Sequence, residues 1–147
     1  MSAENLEIMR RGYEHFVATG ALLDELVDPE FVWDMSTFGA WPERQTYEGI
    51  EGAREFLAAW VDAWEDWELE VEELREAGDR VVAVVTQRGR AKATGLPVDM
   101  HFAQLWTLRD GKQLRMEMYA TPEEALRAAG IAEAPGKARG GSRSGPS

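Results

Sequence analysis

The chain contains no cysteine. That excludes disulfide cross-links, thiol nucleophiles and thiolate metal sites at once. Histidine is almost as scarce. His15 and His101 stand far apart, with no His-x-Glu-x-x-His-like spacing, so no metal site is expected. No run approaches 18 apolar residues, and the start Met1-Ser2-Ala3-Glu4-Asn5 has neither a basic nor an apolar leader region. The expectation is a soluble, cytoplasmic protein. Basic residues are outnumbered, 16 Lys and Arg against 27 Asp and Glu, which leaves a net charge of −11. Such a potential repels phosphate backbones, so neither nucleic acid nor an anionic membrane is expected as a partner. Gly-rich phosphate loops, Gly-x-Ser-x-Gly elbows and dinucleotide fingerprints are missing too. No cofactor is expected.

What is present is apolar and aromatic. Hydrophobic residues fill 44% of the 147 positions, with 6 Trp, 5 Phe and 3 Tyr, enough for one domain with a core and a pocket. Leu6, Met9, Tyr13, Phe16 and Val17 share one face of a helix over about 3–19, which Gly20 stops. A short helix over about 21–27 ends before Asp28-Pro29, Phe31–Ser36 reads as a strand, and a loop with Gly39, Pro42 and Gly49 follows. Phe56, Leu57, Trp60, Val61 and Trp64 share the face of a third helix over about 50–65. The period then falls to two: Glu68, Glu70 and Glu72 alternate with Trp67, Leu69 and Val71, a strand with one wet face. Strands over 80–93, 98–108 and 113–121 complete a four-strand antiparallel meander. Asp110-Gly111 marks the last hairpin. Thr121-Pro122-Glu123-Glu124 reads as a capped start of a final short helix, ended by Gly130.

From about Ala132 the composition collapses to Pro, Gly, Ser, Lys and Arg. Lys137, Arg139 and Arg143 against Glu133 give this tail +2, which leaves −13 on residues 1–131. A disordered tail over 132–147 is expected, and a chain ending at Ala132 should keep its melting temperature.

The order of elements implies an α+β domain, a curved antiparallel sheet forming a cone with helices packed in its concave face. Trp106-Thr107-Leu108-Arg109-Asp110-Gly111-Lys112, Met118-Tyr119 and Glu123-Glu124-Ala125-Leu126 point the same way, supported by Tyr47-Glu48-Gly49, Arg88-Gly89-Arg90 and Gly95-Leu96-Pro97. In these motifs about residues 4–131, within a domain over 1–131, resemble the SnoaL-like proteins of the nuclear transport factor 2-like superfamily, the fold of ketosteroid isomerases. The resemblance implies a cone-shaped fold with a hydrophobic pocket, a hydrophobic small molecule as partner, and a homodimer. It does not fix a reaction, because the superfamily holds isomerases, cyclases, hydrolases and non-catalytic binders.

Carried onto this sequence, the isomerase pattern puts Tyr13 (in Arg11-Gly12-Tyr13) at the donor position and Asp34 (in Val32-Trp33-Asp34) at the base position. A carboxylate on an apolar strand is costly to bury unless something uses or satisfies it. The late acid position falls on Gln104, which can donate a hydrogen bond but cannot be a neutral acid, and this departure also weakens a cyclase reading. Arg88 fits the epoxide-hydrolase-like pattern, but Arg90 stands where its acid must be. One reading is therefore a cofactor-free isomerase or cyclase with Asp34 as base and Tyr13 and Gln104 at an oxyanion. It requires Tyr13 and Asp34 to open into one cavity. The alternative is a non-catalytic binding or accessory dimeric domain for an apolar or carboxylated ligand. Candidate ligand contacts are Trp33, Trp60, Arg88, Phe102, Trp106, Glu117 and Tyr119, with Trp41 and Trp64 as further aromatics. Each has a plain structural counterpart: a core tyrosine for Tyr13, an Asx-type turn for Asp34, a cross-strand partner for Gln104, and surface ion pairs for Arg88 and Glu117.

Overall fold

The computed structural model describes residues 2–38 and 46–131. Trp41 and the tail from Ala132 lie outside the described residues. In chain order the elements are α1 (Ser2–Thr19), a 3₁₀ turn (Asp24–Leu26), β1 (Val27–Asp34), β2 (Thr46–Glu48), α2 (Gly49–Asp62), β3 (Trp64–Ala77), β4 (Arg80–Ala91), β5 (Pro97–Arg109), β6 (Lys112–Tyr119) and α3 (Pro122–Ala128). The expected short second helix is only the 3₁₀ turn, because β1 begins at Val27 and draws the chain into the sheet. The meander stands where the alternating pattern put it. Asp110 and Gly111 both have positive φ, 52° and 78°, the mirror-image turn whose twist suits two flanking strands. At the head of α3, the Thr121 hydroxyl accepts from the Glu124 amide at 3.2 Å and Pro122 occupies the first turn.

Among the described residues, six strands form one curved, unclosed sheet in the order β2-β1-β6-β5-β4-β3. All neighbours are antiparallel except β1 and β6, which run parallel. β3 is a long edge strand, and Glu65, Glu68, Glu70, Glu72, Glu73 and Glu76 load it with acid. The concave face carries the main core. There α1 brings Met9, Tyr13 and Phe16, α2 brings Phe56, Leu57 and Trp60, and the strands bring Phe31, Trp33, Val81, Val85, Phe102, Trp106 and Met116. A smaller cluster on the convex face, Val82, Val84, Ala103 and Leu105, is covered by Ala125 and Ala129 from α3 and its C-terminal end. Two helices therefore fill the cone and the third lies outside it. Among the described residues no helix is long and apolar enough to cross a membrane.

Candidate functional site

The pleat of β1 decides which side chains can meet. Phe31, Trp33 and Met35 join the concave core, so Val32 and Asp34 point to the convex face. The register with β6 agrees: Trp33 lies beside Met116, while Val32 lies beside Arg115 and Asp34 beside Glu117. On β5, Gln104 and Trp106 stand opposite Met118 and Met116, hence on the concave side.

Tyr13 crosses from α1 to meet them. Trp106 Nε1 donates to the Tyr13 hydroxyl at 2.9 Å, and that hydroxyl donates to Gln104 Oε1, so three buried side chains form one chain of hydrogen bonds. Burial pushes the Tyr13 phenol well above its ordinary pKa, with the Trp106 bond pulling weakly the other way. The group is thus a neutral donor at neutral pH.

Beside it lies a cavity of about 10 Å³, lined by Met9, Gly12, Tyr13, Phe16, Leu22, Leu23, Trp33, Gln104, Trp106 and Gln113. This is close to the space that one water needs. Among the described residues, Tyr13 is the only titratable one in that lining. A second cavity of about 10 Å³ shares Phe16, Trp33 and Gln104 with the first and continues past Trp60, Trp67, Gln87 and Phe102. There Gln87 Oε1 accepts from both Trp60 Nε1, at 2.6 Å, and Trp67 Nε1, at 2.9 Å. On the solvent side of α1, a groove of about 570 Å³ along Val17, Val71 and Leu74 also reaches Tyr13, which is therefore the wall between solvent and interior.

The structure brings together Tyr13, Gln104, Trp33 and Trp106 at the first cavity, and Trp60 and Phe102 at the second. It does not bring Asp34 there. Asp34 is 4% exposed on the opposite face, where Ser36 N donates to its Oδ1 at 2.8 Å and Arg115 pairs with its Oδ2. The Asx-type turn expected as the plain alternative forms in full. Burial raises the Asp34 carboxyl, but the Ser36 hydroxyl and amide and the Arg115 guanidinium outweigh it and hold the pKa below the usual value. Such a group is held by its own partners and turned away from the cavity, the wrong place for a base acting beside Tyr13.

The placement of Arg88, Glu117 and Tyr119 among pocket contacts is corrected likewise. Arg88, half exposed, faces outward between Glu70 at 3.6 Å and Asp99 at 3.9 Å. Glu117 lies 3.8 Å from Arg115, and Tyr119 packs with the convex cluster, its pKa raised by burial and then by Glu117 and Asp34. Strand alternation sends all three to the side away from Met116 and Met118. Among the described residues, no three His, Asp or Glu side chains converge as a metal would require.

Gln113 and Gln87 line the interior unannounced. The signal for Gln87 was present, since it alternates with Val81, Ala83 and Val85. For Gln113 it was obscured. Thr107 pairs with Arg115 and Leu108 with Gln113, so Leu114 is an extra residue in β6 and the pleat slips there.

Comparison with known proteins agrees with this architecture. The sequence profile of the SnoaL-like domain matches residues 9–116, most of the chain. This chain belongs to the SnoaL-like domain family. The SnoaL-like domain superposes on TerC co-crystallised with polyporic acid with a TM-score of 0.66 and 26% identity, covering 86% of this chain and 98% of TerC. It also superposes on an NTF2-like protein of unknown function from Burkholderia pseudomallei (TM-score 0.69, 22% identity, 86% and 97% covered). A third likeness is to a provisionally named SnoaL-like polyketide cyclase from a Jannaschia species (TM-score 0.67, 24% identity, 89% and 94% covered). The last two show the nuclear transport factor 2-like fold alone. Comparison with curated protein sequences finds no match.

Proposed function

We propose that this SnoaL-like domain is a non-catalytic pocket protein that binds a small, uncharged, largely apolar molecule carrying an oxygen. One observation carries the reading: Asp34 and Tyr13 lie on opposite faces of the sheet, which leaves the cavity beside Tyr13 with hydrogen-bonding groups and no base among the described residues of its lining. A neutral apolar site favours a neutral ligand, because a carboxylate there would be desolvated without a partner. Arg88, the sequence candidate for pairing one, faces solvent on the far side. TerC, a relative at 26% identity, takes an organic molecule, which supports small-molecule binding here. A ligand larger than water enters by displacing the Leu22 and Leu23 side chains and the adaptable Met9.

The test is titration with toluene and phenol, followed through the indole N–H signals of the six tryptophans. The Trp33 and Trp106 signals should move first, and Asp34→Asn should leave the binding curve unchanged. Loss of binding in Asp34→Asn, or no indole response at saturating probe, would end this reading.

The isomerase or cyclase reading retains one supporting observation, the Trp106–Tyr13–Gln104 chain. It requires exchange of the α-protons of cyclohexanone into deuterated water faster than buffer alone, whereas the binding reading requires none. The homodimer is carried forward as part of the proposal, with sedimentation velocity as its measurement.

A further inference from the structure

The Trp106–Tyr13–Gln104 chain is internally matched, but two other polar groups around the first cavity are not. Gln113 is 2% exposed, and among the described residues its Oε1 has no partner. Its Nε2 donates to Met9 Sδ at 3.5 Å and lies against α1 at Gly12, where a Cβ would stand 3.0 Å away. A thioether sulfur accepts and does not donate, so the amide nitrogen takes the Met9 side and the oxygen is left over. Trp33 is likewise 2% exposed, and its Nε1 has no partner among the described residues. Both residues line the same cavity. Buried polar groups are nearly always matched, so an unmatched donor and an unmatched acceptor around one space ask for a complementary occupant.

The two groups differ in what they ask for. The indole N–H needs an acceptor, whereas the amide oxygen needs a donor. A cavity of about 10 Å³ admits one oxygen-sized centre, and both residues line it. A hydroxyl answers both groups with a single atom: its lone pair accepts from Trp33 and its O–H donates to Gln113. An ether or ketone oxygen answers Trp33 alone, and a hydrocarbon answers neither. We infer that Trp33 and Gln113 are specificity determinants that select a hydroxyl-bearing ligand, a phenol or an alcohol, in the cavity behind Tyr13. Gly12 has a positioning role, because a Cβ there would stand 3.0 Å from Gln113 Nε2 and push the amide aside by a few tenths of an ångström. The inference rests on the binding reading above and narrows its ligand class.

Three probes of one shape separate the possibilities: phenol offers a donor and an acceptor, anisole an acceptor only, toluene neither. Titrated into the full chain, phenol should bind at least tenfold more tightly than anisole. In Gln113→Met the ratio should fall to within twofold while toluene binding persists, and Gly12→Ala should narrow it as well. Should Gln113→Met fail to fold, the wild type still decides. Its Trp33 indole signal, assigned through Trp33→Phe, should move further with phenol and anisole, which offer it an acceptor, than with toluene. Equal binding of phenol and anisole, survival of the ratio in Gln113→Met, or a Trp33 signal indifferent to phenol would overturn the inference and leave the binding reading standing. Failure of all three probes to bind would overturn both.

Discussion

Tyr13→Phe isolates the polar centre of the cone. The substitution keeps the ring, and with it the edge-on contact to Trp106 at 6.1 Å, and deletes one oxygen. That oxygen serves two buried neighbours: it accepts from Trp106 Nε1 and donates to Gln104 Oε1. Phenylalanine would strand both. Leaving a buried donor or acceptor unmatched costs roughly 1–3 kcal/mol, so about 2–4 kcal/mol is expected here, a large share of the roughly 5–15 kcal/mol that holds a domain together. At about 3 °C per kcal/mol for a chain of this size, the melting temperature should fall by roughly 6–12 °C. Urea denaturation followed by circular dichroism measures the free energy directly. The double variant Tyr13→Phe/Gln104→Met should lose less than the sum of the single changes, by about 1–2 kcal/mol, since it no longer contains the stranded amide oxygen. A loss below about 0.5 kcal/mol, or strict additivity, would refute the reasoning. An alkaline series gives a second reading. The folded phenol's pKa lies above its ordinary value of 10.0, so its stabilising contribution is complete below that value and declines as pH rises beyond it. Tyr13→Phe should flatten that decline; it should not abolish it, because Tyr119 is shifted the same way.

Asp34→Asn should cost about 2 kcal/mol through its lost charged hydrogen bonds. The folded carboxyl sits below its ordinary pKa of 3.8, so the advantage of wild type is complete above that value and fades as pH falls through the folded one, as acid titration of both proteins would show. Gln87→Leu removes the shared acceptor of the Trp60 and Trp67 indoles and should cost about 2–4 kcal/mol, read by denaturation and by the movement of those two indole N–H signals alone. Thr121→Ala removes the cap of α3 and should lower stability by about 1 kcal/mol, with faster amide exchange at Glu124.

The fold was legible because its signals are local and redundant. Helical stripes, the Glu/apolar alternation of β3 and the Asp110-Gly111 turn each point to one arrangement, and the cone follows from their order. The site was half legible. Tyr13, Gln104, Trp33 and Trp106 meet because each lies on the apolar face of its own element. Asp34 was misassigned by a one-residue matter of register. The likeness to an isomerase placed it inward, although Phe31, Trp33 and Met35 already claimed that face, and a strand cannot present consecutive residues to one side. Gln113 escaped for the opposite reason: the extra residue Leu114 breaks the period, so counting along β6 from Met116 puts it on the wrong face.

The open sheet has a consequence for how this domain behaves among copies of itself. β3 presents fourteen residues at one edge, whereas β2 closes the other with three. A long unpaired strand is a template for another chain, yet a second β3 laid against this one would set rows of glutamate side chains about 5 Å apart. The edge is thus guarded by repulsion instead of closure, and such a guard is only as long-ranged as the ionic atmosphere permits. It reaches about 10 Å in 0.1 M salt and about 3 Å in 1 M. Concentrated salt brings the β3 edge nearer to ribbon-like pairing, and dilute buffer keeps the β3 edges of two copies apart.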